Sequence, residues 1–161
     1  MFGWGRSYHR LGPLYVSIAA PRDLVFDVIR TPYFGRQPRS SREEIEVLER
    51  GSDMVLAAHR TRLHGITVVT VETVRFTAPE RVDFRLVRGP VAHVVERFEL
   101  RDGSEAGTEL SYEGELGSDL WWLGRWWGAH VARTWTAVVA ASFEKIRSAA
   151  EERAAARSRR S

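Results

Sequence analysis

The sequence predicts an α+β chain in which a seven-stranded antiparallel sheet wraps around one long C-terminal helix, with one or two short helices after the first strand. Three observations carry that prediction. Five of the six tryptophans (Trp121, Trp122, Trp126, Trp127 and Trp135) share one helical run near the C-terminus. Ahead of it lies a succession of β-branched segments punctuated by Gly, Asp and Pro. The last of these segments, 107–116, sets Leu110, Tyr112 and Leu116 on one side and Glu109, Ser111, Glu113 and Glu115 on the other. One wet face and one apolar face mark an antiparallel sheet covered on a single side.

The elements follow in order. Residues 1–13 show no clear period and read as an N-terminal arm, and 14–153 as a single domain. Leu14–Ala20 reads as a strand, and Pro21 suits a first helical position because its missing N–H is not needed there. Leu24, Val25, Val28 and Ile29 continue at helical spacing until Thr31-Pro32 ends the run. Residues 33–42, with Gly35 and Pro38, read as loop or a broken second helix. Strands are then expected over 43–50, 54–63, 66–77, 82–87, 91–101 and 107–116. The final helix is expected to start near Ser118-Asp119, good capping chemistry, and to run towards Arg153. At 100° per residue it buries Leu120, Trp121, Gly124, Gly128, Val131, Trp135, Val138, Val139, Ser142, Phe143, Ile146 and Ala149. Residues 154–161 are left as a basic tail.

Composition narrows the function classes. No run of ~18 apolar residues offers a membrane span, and the N-terminus lacks the apolar core of a secretion signal. The expected location is therefore the cytoplasm. Without cysteine there is no disulfide, thiol nucleophile or thiolate metal site. The net charge of +3 is too small for a nucleic-acid footprint, although pI is about 9.8 because Lys145 is the sole lysine among many arginines. No nucleic-acid partner is expected. Neither a phosphate loop nor a nucleophile elbow is present, and the histidines show no metal-ligand spacing, so neither cofactor nor metal is expected.

The run Ile18-Ala19-Ala20-Pro21 into Val25-Phe26-Asp27-Val28, with Glu96-Arg97-Phe98-Glu99-Leu100 and Asp102-Gly103 leading to Gly107-Thr108, resembles the START-like helix-grip (SRPBCC) superfamily. The resemblance covers roughly residues 14 to 150 and is nearest the polyketide cyclase/dehydrase and lipid-transport branch. It implies a central cavity between sheet and helix that binds a hydrophobic or aromatic small molecule, polyketide-, lipid- or quinone-like. Two alternatives stay open: a cyclase/dehydrase using pocket Glu, Tyr and Arg, and a non-enzymatic membrane-surface or dimeric interaction protein.

Parity along the strands gives candidate lining residues. Phe84, Leu86, Phe98, Leu110 and Tyr112 are expected to point inward, faced by Val131, Trp135 and Val138 from the helix. A filled core with no ligand is the plainer outcome of the same pattern. Glu96 shares the parity of Phe98 and Leu100, and a carboxylate on an apolar face needs a partner or a raised pKa. Catalytic candidates are therefore Glu96 as acid/base with Tyr112 beside it. The resemblance to the cyclase branch further implies pocket arginine and tyrosine side chains that hold a carbonyl and stabilise an enolate, for which Arg60, with Arg62 and Tyr33, is the counterpart in this sequence. An ion pair from Glu96 to Arg60 or Arg62 is the purely structural alternative. His59 is expected at the surface or a strand edge, the alternative being a base that reaches the pocket. Trp122 and Trp126 project away from the buried stripe, which calls for burial by the arm (Phe2, Trp4), a homodimer, or peripheral membrane contact.

Overall fold

The computed structural model describes residues 6–35, 44–63, 65–119 and 121–160, without the side chains of 63 and 121–124. Seven strands form one antiparallel sheet: β1 (Ser7–Ile18), β2 (Ile45–Arg50), β3 (Met54–Leu63), β4 (Ile66–Thr77), β5 (Arg81–Arg88), β6 (His93–Asp102) and β7 (Thr108–Ser118). Their spatial order is β1-β7-β6-β5-β4-β3-β2, a meander whose first strand returns beside the last. Helix α1 (Arg22–Phe34) follows β1, and α2 (Trp121–Ser158) closes the chain. The sheet is open, with β1 and β2 as its edges.

Several boundaries differ from the sequence reading. The arm is largely strand, since β1 begins at Ser7 and pairs with β7 from Ser7↔Ser118 onward. A register shift between Leu11 and Leu14, at Gly12-Pro13, explains why no period was visible. Burial switches there from odd to even positions, so no single alternation spans the strand. Helix α1 runs past Pro32 to Phe34, closed by Gly35 N–H donating to Thr31 O. Helix α2 continues to Ser158, so most of the expected tail is helix. At its other end β7 reaches Ser118, and Asp119 accepts from Arg6 Nε at 2.7 Å. The expectations for Phe2, Trp4, Pro38, His64 and Leu120, and for the burial of Trp121, Trp122 and Gly124, lie outside what is described.

Helix α2 lies on the sheet through the stripe the periodicity marks. Gly128, Val139 and Phe143 are buried, joined by Ala132 and Ala150, with Val131, Trp135 and Ile146 partly covered. At Gly128 the His9 ring occupies the place a side chain would take, so the helix backbone approaches β1 closely. Aromatic rings link the layers: Phe143 meets Phe98 edge-on at 5.1 Å and Tyr112 at 6.3 Å. Helix α1 buries Leu24, Val25, Phe26 and Ile29. The link from β1 into α1 is tied to the far end of α2 by Ala19 N–H, which donates to Glu151 Oε1 at 3.0 Å.

Candidate functional site

The inner face of the sheet carries two buried carboxyl groups. On β6 burial alternates, so Val94, Glu96, Phe98 and Leu100 face α2. Glu96 lies opposite Phe84 on β5 and Gly114 on β7. Tyr112 is two residues along from Gly114, a diagonal neighbour within reach of a long side chain. Its hydroxyl donates to Glu96 Oε1 at 2.7 Å, and Trp135 Nε1–H from α2 donates to the same oxygen at 2.7 Å. Gly114 leaves space beside the carboxylate, because a Cβ there would lie 2.7 Å from Val95 O and 3.1 Å from Glu96 Cγ.

The second carboxyl belongs to Glu72 on β4, in the parity of Val74 and Phe76. Thr70 Oγ1–H donates to Glu72 Oε1 at 2.7 Å. Glu72 Oε2 lies 3.4 Å from His59 Nδ1 without hydrogen-bond alignment, while His59 Nε2 and the Tyr33 hydroxyl are 2.8 Å apart. A neutral imidazole carrying its proton on Nδ1 suits both neighbours. Tyr33, His59, Glu72 and Thr70 therefore form a polar chain on the inner face.

Burial sets the electrostatics. It pushes the Glu96 carboxyl up to about 7, with the nearby Glu72 charge adding to the rise and the Tyr112 and Trp135 hydrogen bonds opposing it. Burial also raises Glu72, against the Thr70 bond, and lowers His59 to about 4. Tyr33 and Tyr112 are raised above the usual phenol range, burial again leading. His59 is neutral at pH 7 on this account, so its approach to Glu72 is a polar contact, not an ion pair. Replacing Tyr112 with Phe removes a donor from the ionised form of Glu96. The Glu96 carboxyl is then expected to titrate above its present value, as read by carbon NMR of the side chain; an unchanged midpoint would contradict the bond.

The candidate residues separate clearly. Glu96, Tyr112 and Trp135 meet at one oxygen. Phe84 and Phe98 pack at 4.9 Å beside them. Phe84, Leu86, Val131, Trp135 and Val138 stay half-buried, whereas Phe98, Leu110 and Tyr112 are buried. Leu110, opposite Leu100, belongs to the filled part of the core. Arg60 does not join Glu96. It sits between inward His59 and Thr61, and its guanidinium pairs with Glu46 of β2 on the outer face. Arg62 has the same outward parity and is exposed. No arginine pair to Glu96 exists among the described residues. His59 is inside the sheet, not on its surface or edge. Glu72 escaped the sequence reading, although the parity of Thr70, Glu72, Val74 and Phe76 is the signal that selected Glu96.

Two recesses open outside the space between sheet and α2. One of about 740 Å³ lies on the outer face, among Arg10, Arg75, Arg85, Arg97, Glu113 and Glu115, and its lining also takes in Phe84, Glu96 and Gly114 of the same strands. Another of about 260 Å³ lies between α1 and the end of α2, at Leu24, Asp27 and Arg153. Neither is the central cavity the sequence leads one to expect. No group of three or more His, Asp or Glu side chains among the described residues is placed to hold a metal ion. No helix among them is long and apolar enough to cross a membrane.

No protein-family model matches the chain, and comparison with curated proteins finds no match. Solved structures do match. TTHA0849 from Thermus thermophilus superposes with TM-score 0.68 at 17% identity, over 93% of this chain and 99% of that one. The di-domain aromatase/cyclase StfQ from the steffimycin biosynthetic pathway gives TM-score 0.75 at 12% identity, over 92% of this chain and 52% of that one. A START superfamily protein from Mycobacterium smegmatis gives TM-score 0.57 at 15% identity, over 93% and 97%. The chain has the START-like helix-grip fold.

Proposed function

We propose that this chain binds a hydrophobic or aromatic small molecule between the inner face of the sheet and α2, beside Glu96. The observation that carries the reading is a contrast along the inner face. Deeper positions such as Val82, Leu100 and Leu110 are sealed, while Phe84, Leu86, Val131, Trp135 and Val138 keep solvent contact although they face the interior. Apolar side chains turned inward yet wet gain free energy when a ligand covers them, at about 25 cal/mol per Å². The likeness to aromatase/cyclases and a START superfamily protein supports the same reading.

A second reading, cyclisation or dehydration, is favoured by the Glu96 carboxyl titrating near neutrality, where one group both removes and returns a proton efficiently. Glu96 would then be the acid/base with Tyr112 orienting it. Arg60 has no part in it, because it faces the other way. Exposed Trp126 and Trp127 favour a role at a membrane surface or in a homodimer, as a companion to binding.

Native mass spectrometry of the purified chain, followed by titration with the neutral fluorophore N-phenyl-1-naphthylamine, tests the leading reading. A co-purifying apolar molecule or saturable one-to-one binding, lost in Leu86→Arg, is the expected result. Absence of both would overturn it.

A further inference from the structure

Most hydrogen-bond donors of the inner face are already used within it, the exception being His59 Nδ1, which lies beside Glu72 without an aligned partner. Tyr112 O–H and Trp135 Nε1–H both go to Glu96 Oε1, Thr70 O–H goes to Glu72, and Tyr33 is joined to His59. Among the described residues no donor reaches Glu96 Oε2, and no cationic side chain contributes to the charge balance of either carboxyl. Beside Glu96 the face therefore offers a ligand lone pairs and negative charge, its two local donors being spent on Oε1. Around Glu96 stand its cross-strand neighbour Phe84, Phe98 packed on Phe84 at 4.9 Å, and Trp135. Buried negative charge within aromatic walls is the setting in which a cation is held by ion pairing and ring quadrupoles together.

We propose that the inner site selects a hydrophobic ammonium ion, a protonated amine on an apolar or aromatic body, whose N–H groups bond to Glu96 while its body covers Phe84, Leu86 and Val131. The inference rests on the binding reading above and names the ligand class of that site. A carboxylate ligand meets two acidic groups and no compensating cation. A ketone placed beside Glu96 has to take Tyr112 or Trp135 away from it, leaving a buried carboxylate short of a donor. An alcohol or phenol matches the lone pairs but leaves the charge in place. Only the ammonium supplies donors and offsets the charge.

A pH dependence follows. The groups facing Glu96 are Tyr112 from β7, Trp135 from α2 and, through space, the Tyr33 phenol of α1 and Glu72, which in turn meets Thr70 and His59. Only ionised Glu96 pairs with the ammonium, and its carboxyl titrates at about 7 in the free protein. Affinity for an amine is thus expected to rise about tenfold between about pH 6 and about pH 8, the change in ionised fraction over that interval.

Three probes of one body isolate the claim: 1-naphthylmethylamine, 1-naphthalenemethanol and 1-naphthoic acid, titrated calorimetrically into the whole chain. At about pH 8 the amine is expected to bind at least about tenfold more tightly than the alcohol, and the acid most weakly. The amine's lead should shrink at about pH 6 and vanish in Glu96→Gln, whose folding is checked by circular dichroism. The wild-type series decides the matter even if that variant fails to fold. Alcohol or acid binding as tightly as the amine overturns the selectivity and leaves the binding reading standing. Failure of all three while N-phenyl-1-naphthylamine binds overturns the selectivity alone; failure of all four, with no apolar molecule co-purifying, overturns the binding reading with it.

Discussion

Truncating Phe143 to alanine is expected to destabilise the chain by about 3–5 kcal/mol, the usual cost of deleting a buried aromatic side chain. The ring is 2% exposed and is the contact through which α2 meets both Phe98 and Tyr112. Its loss opens a void between helix and sheet and removes two edge-to-face contacts, each worth about 0.5–1.5 kcal/mol beyond area burial. Urea unfolding measures this as a lower midpoint with an unchanged slope. A midpoint equal to that of the wild type would mean that α2 does not pack on the sheet through this ring.

Glu96→Gln is expected to change how stability depends on pH. Burial holds the carboxyl at about 7 in the folded chain, against an ordinary value of 4.5. The folded state therefore binds a proton that the unfolded state has released between those values. The stabilisation is complete below 4.5 and is lost as pH rises through about 7, about 3 kcal/mol in all. Glutamine has no proton to lose, so its stability relative to the wild type should rise by that order across the interval. His59 has the opposite sign. Its lowered value of about 4 gives stability that is present above 6.5 and lost as pH falls through 4. The two effects oppose each other in the wild type, and the difference between variant and wild type isolates Glu96. A difference independent of pH would place Glu96 in water.

Much of the fold was legible because burial on one face of a sheet and one stripe of a helix leaves periods of 2 and 3.6. β6 and β7 show this cleanly, and so does α2 around Val139 and Phe143. β1 did not, because its bulge reverses the parity halfway along. The site was half legible. Parity brought Glu96, Tyr112 and Trp135 to one interior, but it carries no information about which oxygen each donor reaches. Arg60 was misplaced because its selection rested on charge and strand, and its parity relative to His59 sends it outward. Glu72 was overlooked among β-branched neighbours, and Tyr33 meets His59 only through the docking of α1 on β3, which no local pattern encodes.

The central claim is that ligand lies against the inner face, beside Glu96. Nitrogen–proton NMR of the chain titrated with N-phenyl-1-naphthylamine tests it directly, because the Trp135 indole N–H is bonded to Glu96 and reports on that point. The Trp135 indole signal is expected to shift in a saturable way together with the amides of Leu86, Val131 and Val138. Shifts confined to the outer recess at Arg10, Arg85 and Arg97, or to exposed Trp126 and Trp127, with Trp135 unmoved, would contradict it.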